Sequence, residues 1–225
     1  GCASSTRALR AGGSTGSDSK TIDFVTIASQ GNAIDYGDLQ RAIYDQASGS
    51  NSVLGVFAAG YGGGYYRDIE EITIASGGTT TDYGAETLVN NAAASGSCNA
   101  HGGLNDGYQG TRPLPFNEAG GDVGMFAGGS PDLELIQTIN ISSTGNAQKF
   151  GDLSTGRRQF AAGFSNKTRS LSANGYDGGS PGYPAIIEYV EFATQGNSAH
   201  FGNTSVGSET GGAFANNTRG VFALG

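Results

Sequence analysis

Three landmarks recur along this 225-residue chain with one shared spacing, and that repetition constrains the fold more than any single motif. The first is an apolar run with an acid or amide at its second position: IDFVTIA from Ile22, IEEITIA from Ile69, IQTINIS from Ile136 and IEYVEFA from Ile187. Their starts lie 47, 67 and 51 residues apart. The second is an aromatic–glycine pair after a polar turn, at Tyr36-Gly37, Tyr83-Gly84, Phe150-Gly151 and Phe201-Gly202, with the same three offsets. The third occurs five times, as TRALRAGG, VLGVFAAG, DVGMFAGG, TRSLSANG and TRGVFALG, with Ala8, Gly55, Gly124, Ser170 and Gly220 equivalent. The surplus in the long interval falls after Cys98 and marks residues 100–121 as an insertion in one repeat.

A period of about 47 residues suits helical HEAT and armadillo units or the blade of a β-propeller. The apolar positions decide between them. They alternate in Val25-Thr26-Ile27 and Ile72-Thr73-Ile74, a period of two that belongs to strands. Residues 38–46 alone read as a helical piece, and their counterparts in the other repeats are too rich in Gly, Ala and Asn to agree. The 40 glycines fit many turns between short strands. Each period then holds about four strands, and stacking against neighbours buries faces that one unit cannot bury alone. Small residues in the second strands suit crowding near a central axis.

The order of elements resembles the kelch repeat. RRQFAAGFSN reads as a first strand, TRSLSANG or DVGMFAGG as a second ending in the glycine pair, IEYVEFA as a third and NAQKFGDL as the fourth with its aromatic–glycine turn. Kelch repeats usually carry Trp at that aromatic, and here it is Tyr or Phe throughout. TIASQGNAIDYGDLQ and NISSTGNAQKFGDLS are also similar to repeats of virion structural and tail-fibre proteins of marine tailed phages. The resemblance implies an all-β, kelch-like β-propeller of four-stranded blades, one region over 1–225. Its approximate blades are 1–40, 41–87, 88–154 with the insertion, 155–205 and a partial 206–225. Five first-and-second-strand units against four third-and-fourth-strand units imply an incomplete ring or part of a larger one, a fragment being the expected case. A last blade completed by another chain and a five-bladed ring with one blade incomplete are the other two readings.

Chemistry is sparse. The net charge of −8 argues against nucleic acid and against anionic membrane surfaces as partners. No run approaches the length of a membrane span. Of two histidines, His200 reads as a solvated turn residue beside the repeated aromatic, and neither has a nucleophile in a catalytic context. Glu70, Glu71, Glu188 and Glu191 could pair for glycosidic chemistry. Asp23, Glu70, Gln137 and Glu188 are equivalent positions, however, which reads as architecture. Gly60 to Gly64 lacks the Lys-Ser/Thr of a phosphate loop and reads as turns. Arg7, Arg169 and Arg219 recur at one point of the second strand, a structural use, by pairing with an acid of the next blade or bonding to carbonyls. Cys2 and Cys98 lie in matching stretches, as two buried free thiols or as a disulfide. Asn105, Asp106, Glu118 and Asp122 lack the spacing of a calcium loop, and no metal or cofactor is expected.

Loops on a rigid scaffold carry binding, and only the insertion breaks the repeat. His101, Asn105, Asp106, Tyr108, Arg112 and Phe116 are therefore the candidate ligand or partner contacts. The resemblance implies a non-enzymatic virion appendage protein, extracellular or on the virion. Its partners would be other virion proteins, copies of itself or a host-surface glycan. A bacterial surface lectin or adhesin and a carbohydrate-active propeller enzyme are the alternatives.

Overall fold

The computed structural model describes residues 1–100, 121–159, 162–179, 182–209, 211–216 and 218–224. These residues form an all-β structure of antiparallel sheets. Sheet I holds β1 (Cys2–Ala3), β2 (Arg7–Ser14), β3 (Asp18–Thr26) and β4 (Ile34–Asp38). Sheet II holds β5 (Ala47–Ser50), β6 (Leu54–Ala58), β7 (Tyr66–Thr73) and β8 (Thr81–Asn91). Sheet III holds β9 (Ser95–Cys98), β10 (Val123–Ala127), β11 (Leu135–Asn140) and β12 (Gln148–Asp152). Sheet IV holds β13 (Ala162–Ser165), β14 (Arg169–Ala173), β15 (Ile186–Glu191) and β16 (Ala199–Asn203). A two-stranded sheet V holds β17 (Gly211–Ala215) and β18 (Gly220–Leu224). Residues 38–46 form no helix: they are the end of β4 and the linker to sheet II, with one bridge from Tyr44 to Tyr61. Agreement among repeats outweighs the local helical pattern there.

Sequence equivalence is carried into register. Ala8 pairs with Val25, Gly55 with Ile72, Gly124 with Ile139 and Ser170 with Val190, always the fourth residue of the third strand when it is counted from Ile22, Ile69, Ile136 or Ile187. Along that strand the first residue faces the following sheet, and the second, fourth and sixth face the preceding one. Ile69 thus joins the cluster with Phe126 and Ile141 of sheet III, while Ile72 and Ile74 join Leu9 and Ile22 of sheet I. Each interior sheet is covered on both faces, so the strands need apolar residues on both.

The first strands lie side by side, β1 against β5, β5 against β9, β9 against β13 and β13 against β17. They line a common cavity of about 360 Å³. The residues crowded there are those of the first strands, not the second as expected. A methyl on Gly96 would overlap the backbone of Ser48 on the neighbouring first strand. Serines tie this seam: Ser50 Oγ donates to the Ala3 carbonyl (2.9 Å) and Ser165 Oγ to the Cys98 carbonyl (2.6 Å). Cys2 lies opposite Leu9 and Cys98 opposite Gly124, one position apart within the repeat, and they enter different clusters. Both are buried free thiols, and burial pushes Cys2 up to about 12.

A left-handed residue followed by a glycine makes a fixed corner at the end of the second strand in sheets I to IV. Gly12, Ala59, Gly128 and Asn174 have φ of 62°, 60°, 67° and 53°, and the glycines after them have φ between 100° and 116°. The second value is reached at little cost only by glycine, since a side chain is strained there. That glycine then donates its N–H to the linker leaving the sheet: Gly13 to Ile43, Gly60 to Asn91, Gly129 to Arg157 and Gly175 to Ser208, at 2.8–3.0 Å.

The aromatic–glycine pairs form the outer seam. Tyr83 is 1% exposed and Phe150 8%, each packed on the third strand of the following sheet. Gly37 and Gly151 have no room for a side chain, because a methyl on either would overlap the carbonyl of Gly78 or Gly196 in the next sheet's turn. Gly202, the equivalent in sheet IV, has open space. Overpacking of this kind costs about 1–3 kcal/mol. Gly151→Ala is therefore expected to lower unfolding free energy by about that amount in urea titrations, and Gly202→Ala by less than about 0.5 kcal/mol.

Candidate binding surface

The acid or amide of the third strand is a latch in sheets II, III and IV. Glu70 Oε2 accepts from the backbone N–H of Gln40 (3.0 Å) and from Thr80 Oγ1 (2.6 Å). Gln137 Oε1 accepts from Leu88 N–H (2.8 Å), and Glu188 Oε1 from Ser154 N–H (3.0 Å) and Ser198 Oγ (2.8 Å). In each case the backbone donor lies at or just past the fourth strand of the preceding sheet, while the Thr80 and Ser198 hydroxyls come from the acid's own sheet. Glu70 is 5% exposed and Glu188 1%. A buried carboxylate persists only when its lone pairs are used, and here they are. Glu188 also holds the buried Arg157 guanidinium, which bonds the Asn174 carbonyl at 2.9 Å. Burial pulls Arg157 down to about 10, opposed by Asp177, so it remains cationic near neutrality. Asp23, on the first sheet, pairs with Arg10 (3.5 Å) instead.

The remaining candidates find local partners. Arg7 reaches Tyr36 Oη (2.6 Å) and the carbonyls of Ile74 and Ala75 in the adjacent sheet. Arg169 pairs with Glu191 in its own sheet (3.1 Å) and stacks on Tyr189. His200 is exposed on β16. Among the described residues no group of three or more His, Cys, Asp or Glu could hold a metal, and no helix is long and apolar enough to cross a membrane. His101, Asn105, Asp106, Tyr108, Arg112 and Phe116 lie outside the described residues.

A different surface emerges from the corners between second and third strands. Tyr44 stacks at 5.4 Å on Tyr61, and Tyr61 at 5.2 Å, edge to face, on Tyr65. Tyr65 Oη meets Ser130 Oγ of sheet III at 2.9 Å. Two residues on, Asp132 pairs with Arg158 at 3.3 Å. Arg158 lies 4.8 Å over Tyr176, which sits 5.5 Å from Tyr183. Backbone bridges Tyr44–Tyr61 and Arg158–Tyr176, at equivalent points of the repeat, fix the two halves. The result is a belt across sheets II, III and IV. Tyr65 and Tyr183 are 42% and 41% exposed, and Asp132 Oδ1 is buried without a hydrogen-bond donor among the described residues.

This belt offers ring faces for flat apolar C–H surfaces and a part-exposed guanidinium–carboxylate pair. That combination suits a polyhydroxylated ligand, whose C–H faces stack while its hydroxyls donate and accept. The sequence carried a signal for it: YGGGYY after Gly60 and YDGGSPGY after Gly175 occupy the same corner of two repeats. Read only as turns, the glycines of residues 60–64 obscured the aromatics beside them.

No family model matches the chain, and no curated protein matches it significantly.

Removing one partner of a buried ion pair costs about 3–5 kcal/mol. Glu188→Ala is expected to lose that much unfolding free energy in urea, because the buried Arg157 guanidinium loses the carboxylate it bonds. Glu191→Ala, at an exposed pair, is expected to lose less than about 1 kcal/mol.

Proposed function

We propose that this chain is a non-enzymatic virion appendage component, a tail fibre or related structural protein. In this reading the sheets are blades of a kelch-like β-propeller, four-stranded and about 47 residues long, and the tyrosine belt recognises a host-surface glycan. The belt carries the reading: exposed aromatic rings and a charge pair span three sheets through side-chain contacts, and backbone bridges fix Tyr61 and Tyr176 in each half, so the surface is preorganised. The side-by-side first strands around one cavity support the propeller arrangement. The buried acids support a non-catalytic role, since Glu70 and Glu188 spend their oxygens on latches. Partners are host-surface glycan, other virion proteins or copies of this chain, and its place is the virion or the extracellular space. The net charge of −8 favours a neutral polar ligand over nucleic acid.

The same belt would serve a bacterial surface lectin. A glycan array with the isolated chain separates the two: defined binding without other virion proteins favours the lectin, and binding only within an assembly favours the appendage. Truncating an aromatic anchor costs about 2 kcal/mol or more. In either case Tyr61→Ala and Tyr65→Ala should weaken glycan binding at least about tenfold by calorimetry, with the circular dichroism spectrum unchanged. Tyr65→Phe keeps the ring and should cost less. Binding unchanged by both alanine variants would reject the belt as the receptor site.

A further inference from the structure

The corners between second and third strands alternate with a period of two sheets. The residue after the corner glycine is Ser14 in sheet I, Tyr61 in sheet II, Ser130 in sheet III and Tyr176 in sheet IV. The residue four before the third-strand run is Asp18, Tyr65, Asp132 and Tyr183 in the same order. Sheets I and III thus offer a carboxylate, sheets II and IV offer two rings, and the linker between them adds one more side chain. Sheets I and II make one such unit, and sheets III and IV make another. The backbone matches in both. Ile43 N–H donates to the Ser19 carbonyl (3.2 Å), as Arg157 N–H donates to the Leu133 carbonyl (3.2 Å). The residue after each donor then bridges to a tyrosine, Tyr44 to Tyr61 and Arg158 to Tyr176.

The two units differ in that linker side chain. In sheets III and IV it is Arg158, a cation 4.8 Å over Tyr176 and 3.3 Å from Asp132. In sheets I and II it is Tyr44, stacked on Tyr61 at 5.4 Å. The ring keeps the contact with the tyrosine and drops the charge. Asp18 therefore meets no cation of its own chain. Among the described residues neither Asp18 nor Asp45, which follows Tyr44, makes an ion pair or a side-chain hydrogen bond, and both are exposed. The neighbouring cations are engaged elsewhere: Arg10 pairs with Asp23, Lys20 with Asp38 and Arg41 with Asp68, while Arg7 bonds Tyr36. Partial desolvation and then Asp18 push the Tyr44 hydroxyl above its ordinary value, with Tyr61, Asp45 and Tyr65 adding to the effect. The unit is a set of ring faces in a negative field, which attracts a cation.

We propose that the corner of sheets I and II binds the free ammonium group of an amino sugar, a hexosamine without an N-acetyl group. The ammonium sits beside the Asp18 carboxylate, where Arg158 sits beside Asp132 in the other unit, and the C–H face of the sugar lies on the tyrosine rings. Asp45 adds a second negative charge. It rests on the belt's being the receptor surface and names the sugar class taken at one end of it. An acetylated nitrogen carries no charge for Asp18 to meet. The other end, where Arg158 already neutralises Asp132, has no such preference. The net charge of −8 adds long-range attraction for a glycan bearing several amines.

The probes are a glucosamine trimer and an N-acetylglucosamine trimer of the same linkage, each titrated by calorimetry into the full 225-residue chain at low salt. The free amine should bind at least about fivefold tighter, and the gap should narrow as salt is added. Asp18→Asn should bring the two trimers within about twofold and leave the N-acetylated trimer unchanged. Tyr44→Arg supplies the cation from the chain itself and should remove the preference as well. Glu134→Gln removes the same charge from an exposed position on sheet III and should keep it. Equal affinity for the two trimers, a preference that survives Asp18→Asn, or one that Glu134→Gln abolishes equally would each overturn the proposal. So would absence of binding by the glucosamine trimer. The receptor reading is then still decided by the neutral glycans of the array with Tyr61→Ala and Tyr65→Ala, so the two fail separately.

Discussion

The structure depends on one reach-back contact. A carboxylate or amide at the second position of a third strand takes the N–H of the residue at or just beyond the previous sheet's fourth strand. It recurs at Glu70, Gln137 and Glu188. A linker leaving a buried sheet edge carries backbone donors that cost about 1–3 kcal/mol each if left unpaired. The latch satisfies one of them and fixes the angle at which the chain enters the next sheet. Because the acid shares its strand face with the fourth and sixth residues, the hydrogen bond and the apolar packing on the preceding sheet are set by a single register.

Around that latch the other seams fall into layers. Serines on the first strands join the inner edge, glycine corners grip the linkers in the middle, and aromatic–glycine pairs close the outer edge. Gln137 and Arg157 vary the scheme. Gln137 keeps the acceptor but leaves its Nε2 without an acceptor among the described residues, and Arg157 fills the linker position with a charge that Glu188 must neutralise. At the Arg157 counterpart in the preceding linker, Asn91 bonds the Gly128 carbonyl as Arg157 bonds that of Asn174. The backbone contact is kept while the side chain that makes it changes.

The tyrosine belt depends on the same corners. The left-handed residue and the glycine after it turn the chain so that the next residue, Tyr61 or Tyr176, bridges to the linker at Tyr44 or Arg158. A device that joins sheets therefore also presents aromatic rings at one end of the molecule. The residues that pack the sheets and those offered to a ligand are neighbours in sequence and separate in role.

The sequence by itself determined the strand content, the repeat equivalences and the architectural use of the acids, because hydrophobic alternation and recurrent spacing are local and survive without coordinates. Glu70 and Glu188 were legible as architecture from their recurrence alone. Only the tertiary structure decided which strand lies innermost. Ser, Gly and Ala are common to first and second strands alike, and crowding depends on which edge meets its neighbours. It also decided that Cys2 and Cys98 enter different clusters, since a shift of one position along a strand reverses the face. The belt needed three sheets brought side by side: Tyr65 to Ser130 and Asp132 to Arg158 are contacts between repeats, and no spacing within one repeat encodes them.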